Sequence, residues 1–202
     1  RAGTIRRDPS QSAGHLGPGQ ELFAGTHLNP QVTWAGMARG IIGYMNRCQA
    51  LLQRGLPVSD VLVYVGDHAP NVPGRKQAAP AGILPGHDFD WCNEDALLNR
   101  VTARDGLLVL PDGVSYRALV LPDHGILSLP VARKLREFVK AGVAITGPKP
   151  VRTASLSGWP ESEVELKAIA GELWQKDRIV TGPTAAELMA NRGIAPDVAW
   201  TN

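Results

Sequence analysis

Val61-Leu-Val-Tyr-Val65, closing on Gly66-Asp67-His68, decides the fold class: the run has no polar alternation, so it suits a strand covered on both faces, and a turn follows at once. Strands of that kind lie in parallel sheets flanked by helices. The residues after it keep alternating between the two patterns. Asn93 to Val101 reads as a helix, with Asn93 as N-cap and Glu94 and Asp95 in the first turn, where they complement the helix dipole. Gly106 to Gly113 and Tyr116 to Pro122 read as two short strands joined in a local hairpin. Ser128 to Gly142 is the clearest helix, capped by Ser128, with Pro130 in its first turn and Gly142 as its stop, and Val143 to Pro148 follows as a strand. Glu161 to Trp174 and Thr184 to Asn191 read as two more helices on either side of Ile179-Val-Thr181.

The expected architecture is α/β: a parallel sheet of flavodoxin-like or class I amidotransferase-like type over residues 57–198, with residues 199–202 leaving as a linker. Right-handed crossovers would bring Gly66-Asp67-His68 and Thr146-Gly147-Pro148-Lys149 to one sheet edge, where such folds bind ligands. Upstream, residues 1–34 are punctuated by Gly14, Gly17, Pro18, Gly19, Gly25 and Pro30 and read as loop. A helix is expected from about Trp34 to Arg54, because Met37, Ile41, Ile42, Met45, Cys48, Leu51 and Leu52 recur at three- and four-residue steps before Gly55. Its length, about 30 Å at 1.5 Å per residue, suits an outer helix of a larger barrel or layered domain, and one face is expected to be buried. Residues 1–56 are read as a loop and a barrel-type terminal helix. The opening on Arg1, without hydrophobic periodicity, is read as a chain that has lost its beginning.

Composition narrows the partners. The chain has 202 residues, 44% of them hydrophobic and 20% charged, and a net charge of +2 spread along the sequence, so neither a nucleic acid nor a membrane surface is an expected partner. No apolar run approaches the roughly 20 residues that span a bilayer. The two cysteines, Cys48 and Cys92, form no C-x-x-C pair and no metal-ligand spacing, and are read as small apolar residues.

Two chemistries fail on their motifs. An amidotransferase nucleophile needs G-x-C-x-G, because the thiol must stand on a strained strand-to-helix turn, and neither Arg47-Cys48-Gln49 nor Trp91-Cys92-Asn93 supplies it. A nucleotide-binding loop needs an unbroken glycine pattern after the first strand, and prolines interrupt the run from Gly66 to Gly74. Asp67 and His68 could move protons together, but Asp67 is read as capping its turn and His68 as packing beneath the proline-rich loop. Asp88 and Asp90 are read as loop residues leading into the helix at Asn93, two carboxylates being too few for a cation site. Lys149 is read as a solvated lysine.

The loop Phe23-Ala-Gly-Thr-His-Leu-Asn-Pro-Gln-Val-Thr-Trp34 is richer in chemistry, since with Glu21 it combines a carboxylate, His27, Asn29 and the Trp34 indole. Sugars are read by such a mixture: polar side chains bond hydroxyls, an aromatic face meets the sugar C–H face, and a carboxylate does acid or base work.

Gly19 to Trp34, Tyr44 to Gly55, Asp60 to Asn71, Leu84 to Glu94, Leu110 to Pro122 and Ile145 to Pro150 together resemble glycoside hydrolase family 106, the α-L-rhamnosidases, over roughly residues 17–200. The resemblance implies a large enzyme in which a (β/α)8 barrel carries the chemistry, residues 1–56 being its last loop and helix, and a flavodoxin-like domain and β-sandwich modules follow. It implies inverting, calcium-assisted hydrolysis of terminal α-L-rhamnose, with most ligands and catalytic groups outside this chain, and the fragment by itself inactive. It also implies a carbohydrate substrate, a periplasmic or secreted location, and self-association as an option. By the same resemblance Glu21 would be a barrel-end carboxylate near the sugar, with His27, Asn29 and Trp34 lining the rhamnose pocket, while residues 58–200 would be scaffold without catalysis. The alternative is a non-catalytic α/β structural, oligomerisation or binding module. A module of that kind should cover the apolar face of the helix at 34–54, whereas a fragment should expose it.

Overall fold

A computed structural model describes residues 33–69, 71–73, 86–175, 178–182 and 184–197. The chain divides into two units, Arg1–Leu56 and Pro57–Asn202.

In the first unit, a 3-10 turn at Ala35–Met37 leads into helix α1, Arg39–Leu52. The periodic apolar residues form the helix as expected, but the expected buried face is not found. No residue of α1 is buried, and Ile41, Tyr44, Leu51 and Leu52 are all more than half exposed. The pattern selects helix because its three- and four-residue steps match 3.6 residues per turn; covering the stripe requires a partner surface as well.

The second unit is α/β, built on a parallel four-stranded sheet. Its strands are β1 (Val61–Tyr64), β2 (Phe89–Cys92), β6 (Ala118–Val120) and β7 (Ala144–Thr146), in the order β2-β1-β6-β7. Val61 registers with Phe89 on one side and Ala118 on the other, and Ala118 registers with Ala144. Beyond β7, Val180 makes a parallel bridge to Thr146. A second sheet, antiparallel, joins β3 (Thr102–Arg104), β4 (Leu107–Val109) and β5 (Ser115–Tyr116).

Alternation along β1 divides the core. Leu62 and Tyr64 join a large cluster with Leu97 of helix α2 (Glu94–Asn99), Leu135 and Phe138 of α3 (Leu129–Lys140) and Leu166 and Ile169 of α4 (Glu161–Leu173). Val61 and Val63 face the other way, onto Ala185, Leu188 and Met189 of α5 (Ala185–Asn191). All four β1 residues are buried, which is why the sequence there is apolar without alternation. Each such side chain contributes about 1.5–3 kcal/mol when fully buried. The caps fall where the sequence places them: Asn93 Oδ1 accepts from the Ala96 N–H at 2.9 Å, Ser128 Oγ from the Val131 N–H, and Thr184 forms a capping box with Glu187.

Two local readings are corrected. Gly86 to Asn93 holds strand β2 and is not purely loop, because Phe89 and Cys92 pack inward while Asp90 accepts from the Tyr116 hydroxyl at 3.2 Å. The expected strand from Tyr116 to Pro122 is split. Tyr116 ends the antiparallel sheet, then the Arg117 N–H donates to the Asp60 carbonyl at 2.7 Å and Ala118–Val120 runs parallel to β1. The hairpin therefore pairs β4 only with Ser115 and Tyr116. At the tail, the Asp197 N–H donates to the Gly86 carbonyl at 2.9 Å; residues 198–202, including the expected linker, lie outside the described residues.

Candidate functional site

The carboxyl ends of β1 and β2 and the N-terminus of α3 surround a cleft of about 1240 Å³ in the second unit. Its floor depends on Gly66. With φ +94° at this residue, a Cβ would stand 2.6 Å from His124 Nε2 and 3.0 Å from Pro122 Cγ, so the backbone can turn close beneath that loop only as glycine.

The turn delivers Asp67 to the start of α3. One Asp67 oxygen accepts from the Ser128 N–H at 2.6 Å, and the other from the Tyr64 hydroxyl. The Ser128 hydroxyl, itself the α3 cap, donates to Glu94 Oε1 at 2.6 Å. Asp67, Ser128 and Glu94 thus tie β1, α3 and α2 together at one point. Burial pushes the Asp67 carboxyl up to about 6; the Ser128 N–H pulls it down and the nearby Glu94 charge pushes it up again. The His68 and His124 rings meet edge to face with centroids 4.2 Å apart. Burial, followed by the His68 charge, lowers the His124 pKa, and the Ile126 N–H donates to His124 Nδ1 at 3.3 Å. On the far wall Arg133 grips Glu165 through two contacts of 2.7 Å.

The expected placement of Gly66-Asp67-His68 at a sheet edge therefore stands, and Asp67 caps a helix, though that helix is the distant α3 and not its own turn. Nothing local hints that Glu94 and Ser128 join it: both have complete local explanations, as a first-turn acid and an N-cap. A third acid, Asp60, lies before β1 and meets buried His87 Nδ1 at 2.5 Å and Arg117 Nε at 3.3 Å. Lys149 is exposed, as read.

Of the residues expected to form a sugar site, Glu21, His27 and Asn29 lie outside the described residues. Trp34 is half-buried and its carbonyl accepts from the Met37 N–H at 2.9 Å, opening the 3-10 turn of the first unit. Among the described residues no group of three or more His, Cys, Asp or Glu side chains is arranged to hold a metal ion. No described helix is long and apolar enough to cross a membrane.

By fold the second unit belongs with the α/β domains whose ligand clefts open at the carboxyl ends of parallel strands. Comparison with known proteins gives the family. Residues 8–202 match the family pattern of glycoside hydrolase family 106, described as α-L-rhamnosidase, and the chain belongs to that family. The match begins nearer the N-terminus than the motifs alone suggested. A protein of Formosa agariphila named "Putative beta-glucuronidase" is 30% identical over 167 residues, covering 80% of this chain and 14% of that protein. A solved rhamnosidase from Novosphingobium sp. PP1Y superposes with a TM-score of 0.69 at 26% identity, covering 85% of this chain and 17% of the other. The chain thus spans less than a fifth of the length of either relative.

Proposed function

We propose that this chain is part of an α-L-rhamnosidase that removes terminal α-L-rhamnose from glycans or glycosides, in the periplasm or outside the cell. The family match over residues 8–202 carries the reading, and the likeness to a solved rhamnosidase supports it. In this reading α1 is the terminal helix of a (β/α)8 barrel, which accounts for an apolar stripe left exposed within the chain. A self-contained structural or binding module would have to cover that stripe itself. Residues 57–198 form a flavodoxin-like domain, a reading supported by the order β2-β1-β6-β7, which runs second, first, third, fourth among the parallel strands.

Hydrolysis is proposed to be inverting, with one carboxylic acid protonating the leaving oxygen and one carboxylate activating water, the pair standing roughly 6.5–9.5 Å apart. Glu21 is the carboxylate proposed to reach the sugar from this chain, with His27, Asn29 and Trp34 lining the pocket. Calcium would supply charge compensation near the substrate, with its ligands outside the described residues. The fragment alone is proposed to be inactive, and self-association would run through exposed apolar surface such as that of α1.

The test is Glu21→Gln in the intact parent enzyme, assayed on an aryl α-L-rhamnoside. The expected result is a kcat loss well beyond threefold, and a kcat within about threefold of the parent overturns the role. The parent should also hydrolyse the α-L-rhamnoside in preference to a β-D-glucuronide; the reverse preference would overturn the substrate.

A further inference from the structure

The cleft above the sheet holds more hydrogen-bonding capacity than the fold uses. Ser162, in the first turn of α4, is only 6% exposed, lines the cleft, and its hydroxyl has no partner among the described residues. The His68 ring Nδ1, buried and also lining the cleft, likewise has no hydrogen-bond partner among the described residues. Buried polar atoms are normally satisfied, so two lining one cavity, beside the Asp67–Ser128–Glu94 set, mark a place where a ligand completes the bonding.

The lining also limits what that ligand can be. Asp67, Glu94, Asp95, Glu161 and Glu165 line the cleft against Arg133, which Glu165 already neutralises. That surplus of carboxylates repels phosphates, sulfates and uronates. Carboxylate acceptors alternating with a hydroxyl and an imidazole match a molecule that both donates and accepts at many points. A volume of about 1240 Å³ has room for more than one ring.

We infer that the cleft at the carboxyl edge of the parallel sheet is a binding site for a neutral polyhydroxyl ligand, a glycan segment of one or more uncharged sugar rings. Glu94 and Ser162 are the residues that read its hydroxyls, and His68 supplies a further ring nitrogen. The inference does not depend on the catalytic reading of Glu21, and it makes the second unit a glycan-holding module where the sequence suggested scaffold alone.

The test is amide and indole NMR of the full 202-residue chain titrated separately with methyl α-L-rhamnoside, a neutral xylo-oligosaccharide, D-glucuronate and spermidine. A neutral sugar should shift the Asp67, His68, Glu94, Ser128 and Ser162 amides together. Glu94→Gln, which keeps an acceptor for Ser128, and Ser162→Ala, which removes a buried unsatisfied group, should each weaken binding about threefold to tenfold, as expected for one lost hydrogen bond, with the rest of the spectrum unchanged. Four outcomes would overturn the inference: no shift with either neutral sugar, tighter binding of glucuronate or spermidine, shifts confined to Thr33–Leu52, or variants that bind like the parent. Rhamnosidase activity of the intact enzyme is read separately, so failure here leaves the enzymatic proposal standing, and the converse holds.

Discussion

Replacing Asp67 with Asn should change how stability depends on pH, with a sign fixed by the cleft. The carboxyl is raised from 3.8 to about 6, chiefly by burial and secondarily by the charge of Glu94. A raised acid pKa means the folded protein holds its proton where the unfolded chain has released it. Below about pH 4 both states are protonated and Asp67 makes no pH-dependent contribution. Between about 4 and 6 the unfolded chain gives up the proton first, so stability falls as pH rises, and above about 6 the full penalty is present. A shift of about two units corresponds to about 3 kcal/mol if the group were enclosed, and because Asp67 lines an open cleft, screening by water reduces this to about 1–2 kcal/mol. Asn keeps an oxygen for the Ser128 N–H and can donate to the Tyr64 hydroxyl oxygen, so Asp67→Asn should preserve the packing. Urea unfolding of both proteins from pH 4 to pH 8, read by tryptophan fluorescence, isolates the effect of Asp67 and its coupling to Glu94 and His68, since titrating groups remote from it cancel in the difference. The variant should gain about 1–2 kcal/mol on the parent across that range. A flat difference, or a variant that loses ground as pH rises, would refute the reasoning and show that the Ser128 and Tyr64 hydrogen bonds outweigh desolvation of the charge.

Gly147→Ala should destabilise the second unit by about 2–3 kcal/mol and lower its Tm by roughly 4–12 °C, because overpacking has no room to relax there. A Cβ at this position would lie 2.5 Å from Leu121 Cβ, and φ is +153°; a melt at the parental temperature would contradict the packing. Burial pushes the Cys92 thiol up to about 12, so iodoacetamide at pH 8 should leave it unlabelled in the folded chain and label it in urea, as mass spectrometry of the peptides would show. Rapid native labelling of Cys92 would mean that β2 opens readily at the sheet edge. Glu21→Gln and the sugar titrations complete the set.

Much of the fold was legible in local sequence because local physics produces it. Asn93, Ser128 and Thr184 cap helices through bonds to residues three positions on, and the unbroken apolar run of β1 follows from helices on both of its faces. Strand β2 was hidden because an edge strand needs fewer apolar residues and Asp88 and Asp90 give it the composition of a loop. The break between Tyr116 and Ala118 was hidden because the residue that decides it, Asp60, is more than fifty positions away in the chain. The candidate cleft was half legible. Asp67 drew attention as an acid after a strand, whereas Glu94 and Ser128 had local duties that concealed their meeting, separated as they are by 34 positions.

By itself the sequence determined the α/β class, most of the helices and their caps, and membership of the α-L-rhamnosidase family, since periodicity, capping chemistry and ordered motifs are all written along the chain. Only the tertiary structure decided the strand order, the partner that Asp67 caps, the cleft with a Ser162 hydroxyl and a His68 ring nitrogen left unpartnered among the described residues, and the exposure of the α1 stripe. Each of these depends on which distant residues come into contact, and burial and hydrogen-bond partnership are properties of the assembled surface that no local stretch carries.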